Sequence, residues 1–157
     1  MNIYDNKPTT LDGKKVTVLG MGVSGMGAVK LLRHLGAEIF ISDNNTHTDK
    51  KKSAFFNKLG ITYETGGHTE KVFNCDFIVV SPGISKKVDV IQKALNLKIP
   101  LVSEIELGSW FTQAPIIAIT GSNGKTTTTK LLGSICNAER INSIIAGNIG
   151  VSFSEKV

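Results

Sequence analysis

The sequence predicts an α/β fold built on a doubly wound, mostly parallel sheet, and three observations support it. The 157 residues are 41% hydrophobic, which is enough apolar material for a packed core. Short apolar runs alternate with segments of helical periodicity. Glycine or proline follows several of these runs, as it does where a strand turns toward a helix. Strands that alternate with helices favour parallel pairing, with helices on both faces of the sheet.

The elements of the first part of the chain can be assigned in order. Residues 16–19 form a β-branched strand that ends in glycines. A helix follows, because apolar residues recur at helical spacing from Ala28 to Leu35, and Gly36 ends it. Further strands are predicted at residues 38–42, 61–64, 77–80 and 101–102, and further helices at residues 49–59, 88–97 and 104–111.

A domain boundary is predicted near residues 112–115, which divides the chain into residues 1–113 and residues 114–157. The elements expected in the second part are a strand at residues 116–120, a loop at 121–124, a helix at 125–137, a strand at 141–146 and a turn at 147–150. A unit of this size cannot cover both faces of a parallel sheet. We therefore expect a first domain followed by only the opening of a second.

Composition and charge exclude several classes of protein. The net charge is +5, and the basic residues are dispersed apart from a cluster at residues 50–52. We interpret that cluster as a solvated helix face, with a weak nucleic-acid patch as the alternative, and expect neither a nucleic acid nor a membrane as partner. The 2 cysteines and 3 histidines are too scattered for a disulfide framework or a metal cluster. No apolar run is long enough to span a bilayer or resembles a secretory signal, so a cytoplasmic protein is expected.

The most informative motif lies in the second part of the chain, between its predicted strand at residues 116–120 and its predicted helix at residues 125–137. Gly121 and Gly124 allow backbone amides to turn toward phosphate oxygens, and the helix N-terminus adds partial positive charge. Lys125 is expected to reach the β- and γ-phosphates of ATP, and the Thr126 hydroxyl to ligate Mg²⁺. The spacing departs from the strict P-loop form G-x-x-x-x-G-K-[ST], since Ile119 stands where the first glycine belongs. A glycine-rich turn with an exposed lysine is the alternative. The residues predicted to contact ATP are Gly121, Ser122, Asn123, Gly124, Lys125, Thr126 and Thr127.

A G-x-G-x-x-G motif follows the first strand, at Gly20, Gly22 and Gly25, and Asp43 ends the second strand. These glycines suit a tight turn and the close approach of a pyrophosphate, and an acid at this position binds ribose hydroxyls in dinucleotide-binding folds. Taken alone, the Rossmann-like pattern fits NAD. The steric demand of a tight turn between strand and helix is the alternative. We expect contact with a nucleotide of some kind.

Two short turns occupy positions at which open α/β sheets bind ligands. Ser81, Pro82 and Gly83 follow the apolar strand at residues 77–80, and Asn148 follows the last predicted strand. From these residues alone, an ordinary turn is the favoured interpretation of each.

Together, these motifs resemble those of the Mur ligases, which assemble the peptide stem of bacterial cell-wall precursors. Residues 120–127, Thr-Gly-Ser-Asn-Gly-Lys-Thr-Thr, resemble the family's ATP loop. The order of the other motifs is also similar, with Ser-Pro-Gly-Ile at 81–84, Ser-Glu-Ile-Glu-Leu at 103–107 and Gly-Asn-Ile-Gly at 147–150. The resemblance extends from Lys14 to the end of the chain. It is strongest to the members that add D-glutamate to UDP-N-acetylmuramoyl-L-alanine.

The resemblance implies that the first domain binds the UDP part of the substrate rather than NAD. The implied contacts are Val23, Ser24 and Gly25 at the diphosphate, Asp43, Asn44 and Asn45 at the uridine, Ser81, Pro82 and Gly83 along the same ligand, and Asn148 from the ATPase side. Family members also use an acidic Mg²⁺ ligand, a histidine, a modified lysine and a C-terminal domain for D-glutamate. None of these is matched within the chain, so these residues alone are expected to be inactive as a ligase, and the full-length protein is expected to be a monomer.

The implied reaction is ATP-dependent amide formation through an acyl phosphate. The substrate carboxylate attacks the γ-phosphoryl group, and the amine of D-glutamate then displaces phosphate. Lys125 and Mg²⁺ would neutralise the charge that develops during the first step. Two other functions stay open. An NAD-dependent oxidoreductase leaves the loop around Lys125 unexplained, and the other alternative is a nucleotide-binding module without catalytic activity.

Overall fold

The computed structural model describes residues 10–47, 49–147 and 150–157. In these residues one parallel five-stranded sheet has the order β3-β2-β1-β4-β5. The strands are β1 (Lys15–Leu19), β2 (Glu38–Asp43), β3 (Thr62–Thr65), β4 (Phe77–Val80) and β5 (Leu101–Ser103). The predicted parallel sheet is confirmed, and each predicted strand end in the first part lies within one residue of the observed end.

Short local signals fix the ends of the helices. The helices are α1 (Val23–His34), α2 (Lys50–Lys58), α3 (Asp89–Asn96), α4 (Glu104–Phe111) and α5 (Lys125–Ala138), and a 3-10 helix spans Glu70–Phe73. The Asp49 side chain accepts a hydrogen bond from the Lys51 N–H at the start of α2, and Ser103 and Glu106 form a capping box at the start of α4. The 3-10 helix was not predicted, because a single short turn has no apolar periodicity. None of the described helices is long and apolar enough to cross a membrane.

Helices cover both faces of the sheet, as the doubly wound prediction requires. Alternate residues of a strand point to opposite faces. Val16 and Val18 of β1 therefore lie in the core that includes residues of α1, α2 and α4, whereas Leu19 lies in a second core with Ile78 and with Val90 of α3. β1 is the central strand, so the loop that follows it lies in the middle of the carboxyl edge of the sheet.

The second part of the chain differs from the prediction. Residues 116–120 and 141–146 were predicted as strands and are not strands in the structure. A strand requires a neighbour to pair its backbone groups, and the described sheet contains only strands of the first part. The helix α5 forms as predicted, but no described residue in it is buried. Leu131 and Ile135 on its apolar face are 61% and 52% exposed.

Candidate functional site

The glycine-rich loop (residues 20–25) joins β1 to α1 at the carboxyl edge of the sheet. Gly20 has a φ of 93°, which favours glycine. A Cβ atom at Gly25 would lie 1.9 Å from the backbone oxygen of Gly20, so only glycine lets α1 begin so close to the end of β1. A Cβ atom at Gly22 would meet no described atom within 4 Å, and no side chain caps the N-terminus of α1. The first amide groups of α1 are therefore open to an anionic ligand.

Asp43 holds this loop against the end of β2. One carboxylate oxygen accepts a hydrogen bond from the N–H of Met21 (2.6 Å), and the other accepts one from the N–H of Asn45 (2.8 Å). Asp43 is only 9% exposed. Its side chain thus orders the loop, and its predicted contact with uridine stays a prediction. Asn44 and Asn45 are exposed at the same edge, where a ligand can reach them.

Lys52 is a site residue that the sequence analysis missed. Its Nζ atom donates a hydrogen bond to the carbonyl oxygen of Met21 at 2.6 Å, so both the N–H and the C=O of that loop residue are held. Lys50 and Lys51 are exposed, as a solvated helix face requires, whereas Lys52 is half-buried. The sequence feature that could have identified Lys52 is its position in the first turn of α2, the helix that follows β2.

Ser81 lies across from the glycine-rich loop, at the end of β4. Its Oγ atom is buried and has no hydrogen-bond partner among the described residues. The same atom lies 2.9 Å from the position that a Cβ of Gly20 would occupy. Pro82 and Gly83 are exposed beside it. The structure therefore brings three predicted groups together at the ends of neighbouring strands: the glycines after β1, Asp43 at the end of β2 and Ser81 after β4. The hydroxyl group of Ser81 has no partner and faces the glycine-rich loop.

A polar network supports the end of β2 behind this site. The Ser42 hydroxyl, fully buried, donates to Oε1 of Glu64 (2.7 Å) and lies 2.6 Å from Nδ1 of His68. Burial raises the pKa of Glu64, but hydrogen bonds from Thr69 and Ser42 and the nearby His68 outweigh it and hold the pKa below its ordinary value. This network was not predicted, since Ser42 lies more than twenty residues from Glu64 and His68 in the sequence. It fixes the backbone that carries Asp43.

The phosphate loop (residues 121–127) includes the first residues of α5. Gly121 and Gly124 have φ values of 143° and 77°, and Gly124 is the N-cap of α5. The Nζ atom of Lys125 donates hydrogen bonds to the carbonyl oxygens of Gly121 and Ser122, so the loop curves around this ammonium group. Thr126 and Thr127 are exposed in the first turn of the helix. The predicted loop therefore has its left-handed glycines, its cation and its helix N-terminus together.

Two further predictions concern a substrate contact and a metal ligand. Asn148 lies outside the described residues. Within the described ranges, no group of three or more His, Cys, Asp or Glu side chains could hold a metal ion. The predicted Mg²⁺ contact of Thr126 stays a prediction.

Comparison with known proteins identifies relatives of this chain. The family described as the MurD N-terminal domain matches residues 15–90. The UDP-N-acetylmuramoylalanine--D-glutamate ligase of Chlorobaculum tepidum is 45% identical over 155 residues, which cover 96% of this chain and 33% of that protein. The protein of the same name from Salinibacter ruber is 39% identical over 96% of this chain and 34% of its own length. This chain thus spans 33% and 34% of the length of these two relatives.

Solved structures show the same relationship. A murein peptide ligase from Psychrobacter arcticus has a TM-score of 0.57 and 27% identity, over 82% of this chain and 27% of that chain. A pseudomurein peptide ligase type C from Methanothermus fervidus has a TM-score of 0.54 and 30% identity, over 80% of this chain and 26% of that chain. The resemblance to Mur ligases is confirmed, and residues 15–90 of the chain match the family described as the MurD N-terminal domain.

Proposed function

We propose that this chain provides the UDP-substrate site and the phosphate loop of an ATP-dependent ligase that joins D-glutamate to UDP-N-acetylmuramoyl-L-alanine. In this proposal residues 1–113 bind the UDP substrate, and residues 114–157 begin the ATP-binding unit. The observation that carries it is the presence, on one chain, of an open glycine-rich loop facing an unpartnered hydroxyl and of a second, lysine-containing phosphate loop. The two ligases of that name, 45% and 39% identical to the chain, support the choice of substrates.

The first loop suits a nucleoside diphosphate. The first turn of α1, which begins at Val23 and Ser24, has no side-chain cap, and the buried hydroxyl of Ser81 lies beside Gly20 and Gly25. Phosphate oxygens accept hydrogen bonds from such donors. An NAD-binding protein would direct the acid at the end of β2 toward a ribose. Here both oxygens of Asp43 already accept backbone hydrogen bonds, and the choice of UDP over NAD rests on the similar ligases rather than on this residue.

The second loop suits the phosphates of ATP. The amides at the start of α5 and the ammonium of Lys125 supply positive charge, and Thr126 places a hydroxyl one residue further along the helix. Displacement of the loop carbonyls from Lys125 by phosphate oxygens would replace a contact between a cation and neutral oxygens with a contact between opposite charges. Mg²⁺, when bound, would offset the negative charge of the phosphates, with the Thr126 hydroxyl as its proposed ligand from this chain.

In the proposed reaction, a substrate carboxylate oxygen bonds to the γ-phosphorus, and the bond to the bridging oxygen breaks to release ADP. The D-glutamate amine then attacks the acyl carbon, and phosphate leaves as the amide forms and a proton is lost. Lys125 neutralises charge during the first step, and the glycine-rich loop orients the UDP substrate. No protein nucleophile is needed. The use of ATP favours a cytoplasmic reaction.

Isothermal titration of the 157-residue chain tests the choice of nucleotide. We expect UDP to bind and NAD to show no measurable heat of binding. For the phosphate loop, Lys125→Ala is expected to weaken ATP binding about tenfold or more, because a charge-assisted contact is lost, while leaving UDP binding unchanged. Lys130→Ala, an exposed lysine on the same helix, is the matched control. Tighter binding of NAD than of UDP, or equal ATP affinity in the two variants, would contradict the proposal.

A further inference from the structure

Two charged side chains hold the backbone of Met21 in the glycine-rich loop. Oδ2 of Asp43 accepts a hydrogen bond from the Met21 N–H (2.6 Å), and Nζ of Lys52 donates one to the Met21 carbonyl oxygen (2.6 Å). Asp43 ends β2, whereas Lys52 belongs to α2. Hydrogen bonds to ionised groups are among the stronger ones in proteins. The two peptide units that flank Met21 are therefore oriented by side chains from outside the loop.

The position of Lys52 on α2 explains how its side chain reaches the loop. Lys52 lies four residues before Phe56, so the two side chains share one side of the helix. Phe56 is 0% exposed and belongs to the core, and Lys52 is half-buried, whereas Lys50 and Lys51 are exposed. A lysine in such a place can bury its aliphatic stem while its ammonium group reaches a polar partner. Of these three consecutive lysines, Lys52 is the one that contacts the loop.

The direction of the Met21 carbonyl determines the direction of the Gly22 amide. The peptide bond between these residues is trans and planar, so its C=O and N–H groups point in opposite directions. Because the carbonyl points to Lys52, the Gly22 N–H points away from Lys52. Within the part of the chain that the structure describes, this N–H donates no hydrogen bond, and a Cβ atom at Gly22 would meet no atom within 4 Å. The amide is therefore available to a ligand.

The Gly22 amide adjoins the open amides at the start of α1. Gly22 is the N-cap of this helix, and its carbonyl accepts the first helical hydrogen bond from the N–H of Met26 (2.9 Å). The N–H groups of Gly22, Val23, Ser24 and Gly25 precede that bond and have no acceptor within the helix. No side chain caps them. Successive amides at a helix N-terminus attract phosphate oxygens, and the orientation of the first amide decides whether it takes part.

We propose that Lys52 is a positioning residue for the diphosphate of the UDP substrate, because it holds the Met21 carbonyl so that the Gly22 N–H joins the amides of α1. Lys52 does not touch the ligand, since its ammonium group lies on the opposite side of the peptide unit from that N–H. A cation bonded to the carbonyl also polarises the peptide unit and strengthens its N–H as a donor. The effect on UDP affinity rests on the proposed function, whereas the orientation of the Gly22 amide does not.

Titration of the 157-residue chain with UDP and with uridine, followed by NMR, tests this proposal. Lys52→Met removes the ammonium group and keeps an unbranched side chain. We expect it to weaken UDP binding about tenfold and to leave uridine binding unchanged, because uridine carries no phosphate. Lys52→Arg keeps a cationic donor and is expected to restore most of the UDP affinity. Lys51→Met, at the exposed neighbouring lysine, is the matched control and is expected to change neither affinity.

The amide nitrogen resonance of Gly22 in the ligand-free chain is a second measurement. This nitrogen shares a peptide unit with the Met21 carbonyl, so we expect its resonance to shift in Lys52→Met, while the amide resonances of β1 and β4 stay in place and show that the fold is intact. An unchanged Gly22 resonance in Lys52→Met would overturn the proposal. So would an unchanged UDP affinity, or an equal loss of affinity for UDP and uridine. If the unsubstituted chain binds neither ligand, the proposed function fails, and the Gly22 resonance still decides whether Lys52 orients this amide.

Discussion

Removing the buried hydroxyl of Ser81 is expected to change stability and ligand binding in opposite directions. A buried polar group without a partner costs about 1–3 kcal/mol. Ser81→Ala removes that group, and the backbone bonds of residue 81 to Leu19 (3.2 Å) and Ile84 (3.0 Å) do not involve the side chain. We therefore expect the free energy of unfolding to increase by about 1 kcal/mol. Urea denaturation followed by circular dichroism measures this change.

The same substitution is expected to weaken the binding of UDP. A hydrogen bond to a charged group contributes about 1.5–3 kcal/mol, which corresponds to a loss of affinity of about tenfold to a hundredfold. Isothermal titration with UDP provides the measurement. Ser85→Ala is the matched control, because Ser85 lies in the same loop and is exposed, and its hydroxyl accepts a hydrogen bond from the nearby N–H of Lys87 (3.2 Å).

Two results would refute this reasoning. A Ser81→Ala protein that is less stable than the original chain would mean that the hydroxyl has a partner in the ligand-free protein. A more stable protein with unchanged UDP affinity would mean that the hydroxyl does not contact the ligand. In that second case the diphosphate would have to be bound by the amides of the glycine-rich loop without Ser81.

Three further predictions concern other parts of the molecule. Asp43→Asn is expected to reduce the free energy of unfolding by about 1–3 kcal/mol and to weaken UDP binding, because one of two backbone N–H groups loses its acceptor; unchanged urea denaturation would contradict the role of Asp43 in ordering the loop. The pKa of Asp76 is lowered from its ordinary value of 3.8, first by the hydrogen bond from the N–H of Lys15 and then by the side chain of Lys14. The stability that this carboxylate contributes is therefore fully present above pH 3.8, and it is lost as the pH falls through the lowered pKa of the folded protein. Because this carboxylate is 40% exposed, we expect Asp76→Asn to remove at most about 1 kcal/mol at pH 6 and to flatten the stability profile below pH 3.8, measured by urea denaturation at each pH. The amides of α5 are expected to exchange faster than those of β1 and β4, because this helix has no buried residue to stabilise it; equal protection factors would contradict this.

Much of the fold follows from local sequence patterns. The apolar face of α1 and the β-branched run of β1 were predicted from periodicity, because the side chains that must be buried recur with the geometry of each element. The glycine-rich loop and the phosphate loop were predicted for a similar reason. A left-handed φ at Gly20 or Gly124 is a local requirement that the residue type itself satisfies.

Other features depend on residues that are distant in the sequence. Residues 116–120 have the composition of a strand, but a strand exists only where another strand pairs with it, and no periodicity within the segment supplies that partner. Asp43 orders the glycine-rich loop only because the fold brings Met21, 22 residues away in the sequence, next to its carboxylate. In the same way, the buried carboxylate of Glu104 accepts a hydrogen bond from Ser154, 50 residues away. The sequence by itself determined the strands and α-helices of residues 15–111 and the helix α5, and it predicts which loops bind phosphate. Only the tertiary structure decided which polar groups are satisfied, because hydrogen-bond partners are chosen by proximity in the fold and not along the chain.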